Sequence, residues 1–361
     1  MKALPQIAIV GAGPSGLTAA IILNNHGFPV RVFEQERSRE QRTQGGSLDL
    51  HDDGGQVALH RAGLLDAFRA IARHEDQETR NVDPRSGISM EAFQPSGDMD
   101  RPEIDRGLLR DLLLSALPAT IVSWNRRLAK VEPSDSDRWR LSFESGGDTV
   151  ADIVIGADGA WSRVRRALTE ISPEYSEVTF MEGWLETPSS GQADFVGHGT
   201  MFSFGGAEAI FAQRNGLGRI CVYAAMQRSR AWIKAEAERQ GLRGLVLSAF
   251  TGWAAPLRDL LDGCAAFVER PIYQLPLGFE WPLQQGLYLV GDAAHLMPPV
   301  GVGVNLAMLD ASDLAMAIAN ADDWQMAARD MQIEIRRRAS EIMSQAIPGF
   351  QQWFSESGPS K

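Results

Sequence analysis

"QIAIVGAGPSGLTAAIILNNHG", residues 6–27, runs from a short apolar strand through a glycine turn into an apolar helix that Gly27 closes. The next run, "PVRVFEQ" (29–35), is rich in β-branched residues and reads as a second strand. Together they make a βαβ unit around Gly11-x-Gly13-x-x-Gly16. In such a unit the first glycine permits the tight turn, the second lets backbone approach a pyrophosphate, and the third allows close helix–strand packing. Glu34 ends the second strand, where a carboxylate can bind ribose hydroxyls. Gly11, Gly13, Ser15, Gly16 and Glu34 are therefore the first candidate cofactor-binding residues. Neither the turn nor Glu34 distinguishes one dinucleotide from another.

Two later stretches repeat the theme of a strand ending in aspartate before a helix. "DIVIGADGAWSRVRR" (152–166) ends its strand with Asp158-Gly159, with arginines on the first turns of the helix that follows. "LVGDAAHLMPPVGVGVN" (289–305) ends in Gly291-Asp292, passes His295 and two prolines, and enters a glycine loop before another helix. A helix N-terminus after such a loop can hold an anion or an electron-rich oxygen with its N–H groups, and a strand-end aspartate can accept hydrogen bonds from a polyol. His295 belongs to this turn and reads as an orienting or packing residue, not a catalytic base. With Asp49, in the extended segment after Gly45-Gly46, Asp158 and Asp292 make three such aspartates, and a simple NAD dehydrogenase has no use for three of this kind.

The whole chain bounds the reading. Its 361 residues are enough for two domains or one domain with an insertion, and 44% apolar with 22% charged residues is an ordinary globular balance. A net charge of −11 argues against nucleic acid and anionic membrane, and the basic clusters at 37–42 and 163–166 are sized for a phosphate, not a polymer. Cys221 and Cys264 form no CxxC pair, so neither thiol redox chemistry nor a zinc site is expected. Residues 3–30 lack charge, but their glycines and prolines break any membrane span or signal-peptide core. A soluble, cytoplasmic monomer is the expectation.

Nucleotide-binding features lie at both ends of the chain, with a block of strand-like runs between them. The fold class is therefore α/β: an interrupted Rossmann-like domain with a β-rich insertion and a C-terminal helix. The boundaries expected are 1–175 and 276–320 for the two parts of the cofactor domain, 176–275 for the substrate domain and 321–361 for the helix. The stretch 106–117 reads as a helix, 149–158 as strand, 210–226 as a hairpin, 229–239, 241–250 and 256–262 as helices, and 322–346 as one long helix.

In this order the three stretches resemble the motifs of the class A flavoprotein monooxygenases, of the para-hydroxybenzoate hydroxylase type. These are GxGxxG with a following Glu, DxxxxxDGxxSxxR from Asp152 to Arg165, and Gly-Asp-Ala-x-His-x-x-x-Pro from Gly291 to Pro299. The resemblance implies non-covalent FAD, with Asp158 in the second motif and Asp292 on the ribityl hydroxyls. It also places Pro299, Gly303, Val304 and Asn305 against the isoalloxazine ring. NADPH would reduce the flavin, O2 would add at C4a, and the hydroperoxide would pass one oxygen to a planar phenolic or enolic small molecule. Within the family, "GGSLDLH", "PEIDRGLLRDLLL" and "GDAAHLMPP" are most similar to the tetracycline-inactivating monooxygenases. By position, that likeness implies FAD contacts for Asp49, Arg106 and Arg110 and an NADPH contact for Arg42, and it makes a tetracycline-type antibiotic the leading substrate. The loop "PPVGVGVN" is one residue shorter than the family's "PPFAGQGVN". Among the aromatics on strand-like runs (Trp184, Phe202, Phe204, Phe211, Tyr223), Trp184, Phe211 and Tyr223 are the candidate substrate contacts. No metal site and no catalytic side chain are expected, since the cofactor performs the chemistry. The rival readings are a flavin oxidase or reductase without oxygen transfer, a flavin halogenase (whose WxWxIP segment is absent) and a non-catalytic nucleotide-binding protein.

Overall fold

The computed structural model describes residues 4–41, 45–93, 101–135 and 137–355. The opening stretch forms β1 (Ile7–Val10), α1 (Pro14–Asn25) and β2 (Val30–Phe33). Then come β3 (Ser47–Asp49), α2 (Gly55–Arg61), α3 (Leu65–Arg69), β4 (Glu78–Val82), β5 (Ser89–Phe93), β6 (Glu103–Asp105), α4 (Arg106–Ser115) and β7 (Val122–Ser123). A meander of β8 (Leu128–Ser134), β9 (Arg138–Phe143) and β10 (Asp148–Ala151) leads to β11 (Ile153–Gly156) and α5 (Arg163–Arg166). The middle of the chain supplies β12 (Glu174–Leu185), α6 (Ser190–Val196), β13 (Gly199–Phe204), β14 (Glu208–Arg214), β15 (Ile220–Gln227), α7 (Arg230–Ala249), α8 (Ala255–Gly263) and β16 (Phe267–Gln274). The chain closes with β17 (Leu287–Leu289), α9 (Asp292–His295), α10 (Gly303–Asn320) and α11 (Trp324–Gln352).

The first sheet is parallel, in the order β17–β11–β1–β2–β7. β1 is buried along its whole length because layers cover both faces, which explains its unbroken apolar run. On one side α1, α2, α4 and α10 pack on Ile7, Ile9, Val32 and Ile155; on the other Ala8, Val10 and Val154 meet Leu141 and Phe143 of the meander. α1 is buried from Ser15 to Leu23, so it shows no polar face and reads from sequence as apolar all round. This strand order sets the C-terminal ends of β1, β11 and β17 side by side. All three motif turns leave the sheet there, at the edge where open α/β sheets bind ligands.

The second sheet has the order β16–β12–β15–β14–β13–β4–β5. One face packs on α6, α7 and α8 through Met181, Met201, Val222, Phe250 and Leu257. The opposite face is aromatic and meets the end of α11.

Several expectations need correction. β4 and β5 sit within the expected 1–175 cofactor segment, yet β4 pairs in parallel with β13, so residues 78–93 belong to the second sheet. The run 149–158 is two strands, because the chain changes sheet at Asp152, whose Oδ2 accepts the Gln6 N–H at 2.7 Å. The two helices expected at 229–239 and 241–250 are present as the two arms of α7, which kinks at Gly241 (φ 73°, ψ 161°), and this expectation needs no correction. The terminal helix runs on past Pro348 to Gln352, beyond the expected 346. Among the described residues no helix is long and apolar enough to cross a membrane.

Candidate functional site

The glycines of the first turn divide into two kinds. Gly11 has φ +104°, and a Cβ there would run into the Ala157 carbonyl; a Cβ on Gly16 would run into the Gly11 carbonyl. Packing alone demands both. Gly13, the N-cap of α1, has an ordinary φ of −83°, and a Cβ on it would meet nothing within 4 Å. The protein gives no reason for glycine there, whereas a group approaching the backbone from outside would. No side chain caps α1, so its first N–H groups face that same space. Glu34 is buried at the end of β2, where its Oε2 accepts the Ala12 N–H (2.7 Å) and its Oε1 the Glu36 N–H (2.9 Å). Arg110, buried on α4, donates from Nε to the Ala12 carbonyl (3.2 Å) and pairs with Glu36 (2.8 Å). Its Nη1 is buried with no hydrogen-bond partner. A buried guanidinium N–H without an acceptor, beside an uncapped helix N-terminus, fits an anion that supplies the missing acceptor.

The second and third turns lock onto the first. A Cβ on Gly11 would also crowd Asp158 Cα, and one on Gly291 (φ +59°) would come 2.9 Å from Ser15 Oγ. Ser15 is thus a packing contact between the first turn and the third. Arg165, almost wholly buried, donates from Nη1 to the carbonyls of Asp292 (3.3 Å) and Ala293 (2.9 Å) and from Nη2 to Ala160 (2.5 Å). Arg165 stands in the second motif with no such role expected of it; its sign in the sequence is an arginine three residues after Ser162. The Asp158 carboxylate differs from the cofactor contact expected of it. Oδ1 accepts Ser162 Oγ–H (2.5 Å) and Oδ2 accepts the Arg163 and Val164 N–H groups (2.6 and 3.3 Å), so it caps α5, and burial raises its pKa. Asp292 behaves otherwise: its side chain is exposed at the start of α9, beside the turn that Arg165 holds. His295 lies beneath, with Nε2 2.7 Å from Asp310 Oδ2, and Asp310 in turn meets Arg338 of α11. That is the orienting place expected of it.

α10 begins at Gly303 with no side-chain cap. Pro299 is exposed, Val304 is half-buried, and a Cβ on Gly301 or Gly303 would meet nothing within 4 Å, as at Gly13. The Asn305 side chain turns away from this opening. Its Oδ1 accepts the N–H groups of His51 (2.8 Å) and Gly55 (3.0 Å), and its Nδ2 donates to the Asp49 carbonyl (2.9 Å). Asn305 therefore clamps the 49–55 segment to α10. The Asp49 carboxylate meets His51 Nε2 at 2.9 Å. Arg106 is exposed at the start of α4 and lies against Gly45, while Arg42 lies outside the described residues. Beside Asp49, Glu103 hydrogen-bonds to Ser47 Oγ, which also accepts from Arg73 Nη2 (2.8 Å). Burial, with Asp49 and Asp76 adding to it against Ser47 and Arg73, pushes Glu103 up to about 8.

The aromatic face of the second sheet completes the site. Phe180 of β12, Phe211 of β14 and Tyr223 of β15 share it, with ring centroids 5.3 and 6.0 Å from Phe180. Val300 of the proline–glycine loop packs on the same cluster, so this face and the third turn are contiguous. Phe211 is buried in the cluster, and Tyr223 is half-buried with its hydroxyl directed at Gly46. Trp184 lies further along β12, donating to Glu182 (3.2 Å) beneath the Arg219 guanidinium. Not foreseen from sequence are Phe350 and Trp353, whose rings reach Phe180, Phe204 and Phe211 at 5.5–6.3 Å. Their signal was the spacing in "FQQWF" (350–354), three rings on one side of a helix end.

Comparison with known proteins agrees with this geometry. The model of the FAD binding domain family matches residues 5–242 and 282–327. "Monooxygenase asqM" of Emericella nidulans is 31% identical, over 86% of this chain and 83% of its own. The 3-amino-4-hydroxybenzoate 2-monooxygenase of Streptomyces cremeus is 29% identical, over 98% and 89%. Among solved structures, tetracycline destructase Tet(55) superposes with a TM-score of 0.75 at 21% identity, over 100% of this chain and 93% of its own.

Proposed function

The chain belongs to the FAD-dependent monooxygenases built on the FAD binding domain, and from that membership we propose that it hydroxylates a planar phenolic or enolic small molecule at the expense of NADPH and dioxygen. One observation carries the reading. The three motif turns converge at the ends of β1, β11 and β17, the first and third lead to uncapped helix starts, and the third continues through Val300 into an aromatic face. Bound FAD supplies the electron transfer and the activation of dioxygen. The balance is substrate, O2, NADPH and a proton giving hydroxylated substrate, NADP+ and water.

The chain's own part is binding and exclusion of water. The α1 N-terminus and Arg110 Nη1 hold the diphosphate, Glu34 the ribose, and the exposed Asp292 carboxylate the ribityl hydroxyls. The α10 N-terminus, with Pro299 and Val304 alongside, turns N–H groups toward the edge of the ring where negative charge gathers on reduction. Phe211, Tyr223 and their neighbours stack the substrate and keep water from the reacting atoms. Arg42 grips the 2′-phosphate of NADPH, and the enzyme works as a monomer.

The stretches "GGSLDLH" and "GDAAHLMPP" favour tetracycline-type compounds as substrate. The test incubates FAD-loaded enzyme, NADPH and a tetracycline in air and reads product mass. A gain of one oxygen atom is expected. NADPH oxidation that yields only peroxide removes tetracyclines as substrates, and the same outcome across all stimulating phenols leaves an oxidase.

A further inference from the structure

We propose that Glu103 is a positioning residue for the aromatic substrate: through Ser47 it sets the strip Gly45–Gly46–Ser47, the seam between the cofactor crevice and the aromatic face. The inference rests on the reading of that face as the substrate wall. Three bonds hold the strip. The Gly46 carbonyl accepts the Arg106 N–H of α4 (3.2 Å), the Ser47 N–H donates to Gln213 Oε1 of β14 (3.1 Å), and Ser47 Oγ hydrogen-bonds to Glu103 of β6. The strip also lies directly on the face. A Cβ on Gly46 would come 2.8 Å from the Tyr223 hydroxyl and 2.9 Å from Gln213 Oε1, so any movement of the strip reshapes that end of the face.

Glu103 is buried without a cation of its own. Arg73 stands nearest, and its nitrogens are engaged elsewhere: Nε on Asp76 (2.9 Å), Nη1 on Asp105 (2.7 Å) and Nη2 on Ser47 Oγ (2.8 Å). Asp49 is opposite Glu103 in the register of β3 and β6, with its own carboxylate on His51. Glu103 thus faces Asp49, Asp76, the shared guanidinium and the Ser47 hydroxyl, with Asp105 two residues on along β6. A buried carboxyl so placed keeps its proton. Burial, with Asp49 and Asp76 adding to it against Ser47 and Arg73, pushes Glu103 up to about 8. Ionised, it becomes a like charge directly across from Asp49, which drives β3 away from β6. β3 begins at Ser47, so the strip moves with it. Burial also pushes the Cys221 thiol and the Tyr223 hydroxyl up, so neither ionises first beside the strip.

The test is equilibrium dialysis of the FAD-loaded protein against 2-naphthamide, a flat probe with no group that ionises near pH 8. Amide hydrogen exchange at residues 46–48 is followed over the same pH range, corrected for the intrinsic rate. Affinity is expected to fall about fivefold or more from pH 7 to pH 9.5, with exchange at the Ser47 N–H rising in step. Glu103→Gln keeps the shape without the ionisable proton and is expected to hold both flat. Glu103→Ala removes the anchor and is expected to bind at pH 7 as weakly as the native protein does at pH 9.5. A flat native profile, a fall that Glu103→Gln shares, Ala behaving as Gln, or no binding of the amide at pH 7 overturns the proposal. Should Glu103→Ala fail to fold, the native and Glu103→Gln profiles decide. Product mass with phenols is read separately. The expected profile without oxygen gain on any stimulating phenol leaves this inference standing and overturns the hydroxylase assignment. Oxygen gain beside a flat profile does the reverse.

Discussion

The cofactor crevice and the aromatic face lie side by side in this molecule but are specified by different means. The crevice is made of backbone: positive φ at Gly11 and Gly291, open space over Gly13 and Gly303, and two uncapped helix starts. The face is made of side chains gathered from five strands and the far end of the last helix. A backbone site needs particular residues at particular spacings, because only glycine tolerates the angles or the close approach. A side-chain site needs only bulk and apolarity, which many residues satisfy and which strand cores share.

The largest effect that tests this contrast lies within the first turn itself. Gly11→Ala forces a Cβ into the Ala157 carbonyl at φ +104°, so the apo protein should lose about 3 kcal/mol or more, with FAD binding lost alongside. Gly13→Ala adds a Cβ to open space, so the apo stability should hold within about 0.5 kcal/mol while FAD affinity falls about tenfold or more. Thermal melts with and without FAD separate the two. Equal apo losses, or an unchanged FAD affinity in Gly13→Ala, would break the division into packing and ligand glycines.

The seam between the regions offers a smaller effect. Glu103 on β6 neighbours Ser47 on β3, whose N–H donates to Gln213 of the second sheet at 3.1 Å. Its folded pKa is about 8, above the unfolded 4.5, so the native state holds a proton that the unfolded state has released. Stability from this group is complete below pH 4.5 and is lost as pH rises through 8. Glu103→Gln should therefore flatten the fall in melting temperature over that window and stabilise the protein at pH 9 by a few kcal/mol at most. Denaturant titrations at pH 5, 7 and 9 check it; parallel pH profiles in native and variant proteins would place the proton elsewhere.

How much was legible in the sequence follows the same division. The βαβ unit, the fold class and the three turns were readable because glycine and aspartate spacing is local. The role of Asp158 was misread because a strand-end carboxylate can cap its own helix or bind a ligand, and only the Ser162 and Arg163 contacts decide. Asn305 was read through its backbone, while its side-chain clamp on 49–55 spans some 250 residues of sequence. The parallel pairing of β4 with β13 is long-range too, and no local period announces it.

The smallest effect concerns the region that the sequence revealed least. Trp353 reaches Phe204 at 5.7 Å and Phe211 at 5.5 Å from the end of α11. Its ring is partly buried, so Trp353→Ala should cost about 1–2 kcal/mol of stability through lost ring contacts. If the face and the crevice are separately built, FAD affinity should not change. KM for the aromatic substrate should rise about three- to tenfold, and more of the NADPH consumed should end as peroxide, because the opened face admits water. Steady-state kinetics with peroxide detection, beside an FAD titration, gives all three quantities. A fall in FAD affinity matching the rise in KM would mean that α11 supports the crevice through the Asp310–Arg338 contact. The aromatic end of the helix would then act on the cofactor as well as on the substrate.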